Sequence, residues 1–146
     1  YVFFEDKKYF VDEANKTYKL DLLRAFLKDK GIAIFDTALR IRRTTGTASD
    51  KDLEIVEPAD LDHMLRVLPQ CKAVLAAGQL ATKVFTDHYQ IDAHKMKMGD
   101  YKEFTFEGRT IRLYREPSSS RAYPMKVEKK AEYYKQMLSE VGLLDE

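Results

Sequence analysis

Apolar residues recur along this chain at two spacings, one helical and one of strands. Over "YKLDLLRAFLKDKG", Leu20, Leu23 and Leu27 share a face with Phe26 beside it, which predicts a helix. Gly31 supplies its stop. In "GIAIFDTAL", the apolar run over residues 32–35 suits a short buried strand. "RIRRTTGTASDKD" is polar, contains Gly46 and reads as a loop. In "EPADLDHMLRVLPQ", Pro58 fits a first helical turn, Leu61, Met64, Leu65 and Leu68 mark one face, and Pro69 ends the helix. "KAVLAAG" is a second short buried strand, with Gly78 as a tight turn into the helix "QLATKVFTDHY". "DAHKMKMGDYKE" reads as a polar connection. "FTFEGRTIRLY" alternates as a hairpin with Glu107 and Gly108 at its turn. The last helix carries Val127, Ala131, Tyr134, Leu138 and Val141 on one side and stops at Gly142.

This order is helix, strand, helix, strand, helix, hairpin, helix. It predicts an α/β fold with a mainly parallel sheet covered by helices. In such sheets ligands sit beyond the carboxyl ends of the strands. Three loops are expected to leave those ends, near Asp36, Gly78 and Arg115.

The totals narrow the class. At 146 residues, the chain reads as a single domain spanning residues 1–146. With 45% hydrophobic and 34% charged residues it belongs with globular chains rather than disordered ones. The net charge of +1 excludes a grossly basic nucleic-acid binder but not a local basic patch. A lone cysteine, Cys71, permits no internal disulfide, which fits a reducing compartment. No apolar run approaches the ~20 residues of a membrane span, and no secretory signal pattern is visible. A cytoplasmic monomer without a membrane partner is expected. The opening "YVFFEDKKYF" lacks an initiator methionine, and part of the natural N-terminus is expected to be missing.

Candidate chemistry is sparse. "AAGQLA" has one glycine and no Gly-Lys-Ser/Thr, so it is no phosphate loop, and a sharp turn explains Gly78. His63, His88 and His94 are scattered and show no metal-ligand spacing, so they read as solvated or structural residues. Arg40, Arg42 and Arg43 could grip a polyanion through their planar guanidinium forks, against the ordinary reading of a solvated face. Lys126, Lys129 and Lys130 invite the same comparison. The most informative segment is "REPSSSRAYP". Serine hydroxyls and backbone N–H groups ahead of a helix can contact phosphate oxygens, Pro117 would stiffen the loop, and Arg121 would add charge. The ordinary reading is a helix start, with Ser119 or Ser120 satisfying backbone donors.

"REPSSSRAYPMKVEKKAEYYKQM" resembles the second signature loop and final helix of the uracil-DNA glycosylase superfamily. It looks closest to the mismatch-specific thymine/uracil branch and the hypoxanthine-DNA glycosylase branch. Pro117, Ser118, Ser119 and Ser120 match the loop, and Tyr133 and Tyr134 echo a tyrosine pair found in some members. "LLRAFLKDKGIAIFDTALRIRRTTGTASDKDL" and "LPQCKAVLAAGQLATKVF" are similar to two further family segments in order and spacing, so the likeness covers most of residues 22–138. It implies a three-layer αβα fold with a central, mainly parallel sheet. It also implies a DNA glycosylase that hydrolyses the N-glycosidic bond of uracil, of thymine opposite guanine or of hypoxanthine, in double-stranded DNA and without a metal or organic cofactor. The serine loop, with Ser118, Ser119 and Ser120, would hold phosphates, and Arg121 would be a wedge in the vacated stack. Arg43 would be a further DNA contact, and Ala77 and Gly78 would lie at the base pocket.

The chain departs from this pattern at two places. Many relatives have Asn where Ala77 stands, so base recognition is missing or done differently. The family's first strand and catalytic loop would precede Tyr1, which puts the main catalytic residue outside this chain. Asp36 is the carboxylate nominated from the chain itself, against a reading as a cap or loop anchor. Two other classes stay open: a non-catalytic nucleic-acid-binding relative, and a small-molecule-binding α/β domain.

Overall fold

The structure is a computed structural model that describes residues 3–6, 8–34, 38–43, 53–94, 96–119 and 123–143, with 38–43 and 53–58 described through their backbone. The first strands, β1 (Val11–Asp12) and β2 (Thr17–Tyr18), pair antiparallel and lead into helix α1 (Leu20–Lys30). Helix α1 is where the leucine spacing predicts it and ends at Gly31, but none of its side chains is fully buried. Its anchor is Phe26, which packs edge-on against Phe3 at 5.0 Å and tilted against Phe10 at 5.3 Å. Phe4 stacks on Tyr9 at 3.8 Å in the same aromatic cluster.

The next segment differs from the sequence expectation. Residues 32–34 form no strand, and Ile34 is 71% exposed, so this part of the apolar run is not a buried strand, while Phe35 lies outside the described residues. Instead "RIRR", expected in a loop, belongs to β3 (Ala38–Arg43), which pairs antiparallel with β4 (Leu53–Pro58). The register sets Arg42 opposite Glu54 and Arg40 opposite Glu57. An antiparallel pairing of this kind is non-local, and a local reading of the arginines misses it. Pro58 closes β4 rather than opening a helix.

Helix α2 (Leu61–Arg66) starts three residues further on and ends short of Leu68 and Pro69; at its cap the Asp60 side chain accepts from the His63 N–H at 3.0 Å. Strand β5 (Ala73–Ala77), the turn at Gly78 and helix α3 (Gln79–His88) follow as the sequence predicts. The hairpin and its turn are also as predicted, but its first strand starts at Tyr101, within the stretch expected to be a polar connection. Strands β6 (Tyr101–Phe106) and β7 (Arg109–Glu116) are joined by Glu107 and Gly108, both at positive φ, 47° and 82°. Two successive positive φ angles match the right-handed twist of the flanking strands, and glycine tolerates that geometry best. Helix α4 (Val127–Glu140) is the last described element, burying Lys130, Ala131 and Met137 while Val127 stays 41% exposed.

Strand β7 is the centre of the fold. The sheet runs β5–β7–β6, with β5 parallel and β6 antiparallel to β7. The protein is therefore mixed α/β, and the described sheet is mixed rather than mainly parallel, because the hairpin supplies its edge. Alternation along β7 divides its side chains between two faces. Ile111 and Leu113, both fully buried, join Leu61, Leu65, Phe85, Phe104 and Phe106 in one core under α2 and α3. Tyr114 and Glu116, also buried, face α4. Tyr114 donates to Glu140 on α4 at 2.9 Å.

Candidate ligand site at the carboxyl ends of β5 and β7

Parallel pairing makes β5 and β7 end side by side. The register places Ala77 next to Glu116, and the Gly78 N–H donates to the Glu116 carbonyl at 2.8 Å. The turn into α3 and the chain entering the serine loop thus leave one edge of the sheet together. Gly78 is buried, with φ 100° and ψ 168°, and Thr82 in the first turn of α3 donates its hydroxyl to the Gly78 carbonyl at 2.9 Å. That backbone region is close to glycine-specific, at a cost of roughly 1–3 kcal/mol for another residue. Gly78→Ala is therefore expected to lower unfolding stability by about that amount, read as a shifted urea midpoint with an unchanged slope.

Pro117 is fully buried, Ser118 is half-buried and Ser119 is exposed. The loop is pinned at its root, because the Tyr134 hydroxyl on α4 donates to the Pro117 carbonyl at 2.8 Å. Burial, and next the Glu116 carboxyl, push the Tyr134 phenol up to about 12. A second clamp comes from the connection before β6. Gly99 N–H donates to the Arg115 carbonyl at 2.7 Å, Arg115 N–H donates to the Asp100 carbonyl at 3.0 Å, and the Arg115 guanidinium reaches the Met96 carbonyl. The segment expected to be a polar connection therefore carries a buried residue, Met96, and braces the end of β7.

The ordinary reading of the serines as helix caps does not fit α4. The helix begins at Val127 with Lys126 at its cap position, well past Ser119, and Lys126 makes no side-chain cap hydrogen bond. Lys126 and Lys129 are exposed at this start, while Lys130 is buried with its ammonium 5.4 Å from the Tyr123 ring centre. Cations at a helix N-terminus oppose the helix dipole, and Glu128 in the same turn offsets part of their charge.

The other nominated residues lie elsewhere. Asp36, Ser120 and Arg121 are outside the described residues. Arg43 ends β3, in a sheet separate from β5–β7–β6. Of the nominated set, Ala77, Gly78, Pro117, Ser118 and Ser119 come together.

Glu116 is the residue at this edge that the sequence reading passed over. It is 1% exposed, and neither carboxylate oxygen has a hydrogen-bond partner among the described residues. Burial, reinforced by the Glu140 carboxylate, pushes its carboxyl up to about 7. Strand alternation carried the signal, since Glu116 shares the α4-facing parity of Tyr114.

Two concavities lie away from this edge. One, of about 390 Å³, is lined by residues 89–92 beyond the last turn of α3 and by residues 102–105 of β6. The other, of about 600 Å³, lies along the outer side of α4. Beside the first, Asp62 accepts from the Tyr89 hydroxyl at 2.9 Å and lies 3.0 Å from His88 Nε2. These bonds, from His88 first, hold the Asp62 carboxyl below its ordinary range and tie α2 to α3. That arrangement is the structural role expected for His88. Among the described residues no three His, Cys, Asp or Glu side chains gather as metal ligands, and no helix is long and apolar enough to cross a membrane.

No family model, no curated protein and no solved structure matches the chain.

Proposed function

We propose that the protein is a DNA glycosylase of the uracil-DNA glycosylase type, with a three-layer αβα arrangement, acting on a damaged or mismatched base in double-stranded DNA. The observation that carries this reading is the shared edge. The Gly78 turn and the Pro117-Ser118-Ser119 segment leave adjacent parallel strands and are hydrogen-bonded through Gly78 and Glu116. Those are two of the segments in which the sequence resembles the superfamily. The lysines at the start of α4 and the exclusion of Ser119 from the helix cap support it further, since both leave the loop suited to an anionic partner.

The proposed work of these residues follows from the substrate. A base stacked in a duplex cannot be reached, so the nucleotide must be flipped out, at a cost of a few kcal/mol. Ser118, Ser119 and Ser120 hold backbone phosphates on either side of it, Arg121 fills the vacated stack, and Arg43 adds a further DNA contact. The flipped base enters beside Ala77 and Gly78, where the small side chain at 77 leaves room but supplies no amide for reading its edge. As the C1′–N bond breaks, the sugar gains oxocarbenium character and the base departs as an anion that hydrogen-bond donors stabilise. Water attacks C1′, and Asp36 is the nominated carboxylate to orient it. In this reading the protein works in base excision repair in the cytoplasm, as a monomer and without a cofactor.

The test is base release by the full-length protein. Duplexes carrying uracil, thymine opposite guanine or hypoxanthine are incubated, and abasic sites are converted to nicks with alkali. Nicking of one duplex is expected. Binding of the same duplex is expected to fall steeply, with log affinity linear in log salt. Absence of nicking with salt-sensitive binding retained would reduce the reading to a non-catalytic relative. Absence of both would refute it and favour a small-molecule-binding domain.

A further inference from the structure

A carboxyl with no hydrogen-bond partner among the described residues, buried at the end of the central strand, calls for a role. Glu116 is the last residue of β7, its carbonyl receives the Gly78 N–H, and the next residue is the buried Pro117 that Tyr134 pins. Each of these fastenings therefore lies within one residue of this side chain. A neutral carboxyl tolerates that place at modest cost, whereas a bare carboxylate without donors does not. We propose that Glu116 is a proton-operated latch on the serine loop: its neutral carboxyl lets the end of β7 and Pro117 seat beneath α4, and its ionisation drives that end out toward water. The proton passes to solvent as the latch opens.

The described groups around Glu116 favour opening over rescue by a local cation. On α4, Glu140 adds a second negative charge, and its carboxylate is already engaged by the Tyr114 hydroxyl at 2.9 Å and Gln136 at 3.3 Å. Tyr134 spends its hydroxyl on the Pro117 carbonyl. Lys130, also buried on α4, lies over the Tyr123 ring. On β7 itself, Arg112 donates to the Tyr114 hydroxyl at 3.2 Å and sits 4.5 Å from the Tyr101 ring centre. Beside Glu116 on β5 stands Ala77, which is uncharged. The raised titration of Glu116, to about 7, agrees with this setting and puts the switch near neutrality. The inference is independent of the DNA reading, since it concerns how the loop is held and not what it holds.

The test is amide hydrogen exchange over residues 116–119 between pH 5 and 7.5, corrected for intrinsic rates, with the full-length protein. The opening equilibrium of these amides is expected to rise on the order of 10²-fold across that window and to level off above it, because opening releases one proton. Glu116→Gln is expected to abolish the rise. Glu116→Leu, which removes the polar group altogether, is expected to do the same and guards against a cost of burying the amide. A carbon-detected titration of the wild-type carboxyl is expected to centre near 7 rather than 4.5. A rise that persists in both variants, or a wild-type midpoint at the ordinary carboxylate value, would overturn the latch.

Discussion

Replacing Ile111 with alanine is expected to lower unfolding stability by about 2–5 kcal/mol, the range for deleting a fully buried branched side chain. Ile111 is fully buried at the middle of β7 and belongs to the core that joins α2, α3, β5 and the hairpin. The cost has two parts: the transfer energy of the lost methyl and methylene groups, and the cavity that the neighbours fail to close. Phe104 lies across from Ile111 in the β6 register, and large rings collapse poorly into small gaps. Set against the typical 5–15 kcal/mol of a whole domain, such a loss approaches global unfolding at modest urea. Urea denaturation followed by far-ultraviolet circular dichroism checks it. A loss below about 1 kcal/mol would mean that β7 is not the centre of the core.

The second large effect depends on pH. Glu116 holds its proton more tightly in the folded chain than in the unfolded one, with about 7 against 4.5. Its contribution is therefore fully present below pH 4.5 and is lost as pH rises to about 7, after which it stays flat. The difference corresponds to up to ~3 kcal/mol, capped by the free energy of releasing the loop. Glu116→Leu removes this dependence, so the variant is expected to gain on the wild type steadily from pH 4.5 to 7 and to be the more stable protein at pH 8. Urea midpoints at four pH values across that window measure the gap. A gap that does not change with pH would show that Glu116 ionises equally in both states.

Much of this arrangement could be read from local patterns, and its failures have physical causes. The leucine spacing in α1, the alternation of the hairpin and the Gly78 and Gly108 turns are local signals, and each element lies where they predict it. The β3–β4 pair was not legible in this way. Its arginines look like a solvated loop until the glutamates of a later segment are set opposite them, and that pairing is non-local. The run over residues 32–34 failed for the converse reason, since apolar composition predicts burial and Ile34 is exposed. The parallel pairing expected from alternating elements holds for β5 with β7. Alternating elements suggest a parallel sheet, but a hairpin adds its second strand antiparallel by geometry.

The candidate edge itself followed from two turns and one rule about strand ends. Glu116 was missed because a charged residue beside a proline reads as loop, and its burial depends on α4 packing over it.

The most direct test of the site is chemical-shift mapping with a lesion-bearing DNA duplex. Amides of residues 77–79 and 116–119 are expected to shift together on addition of duplex at low salt and to return when salt is raised. Shifts confined to the Asp62–His88 face, or no shifts at any salt, would contradict it.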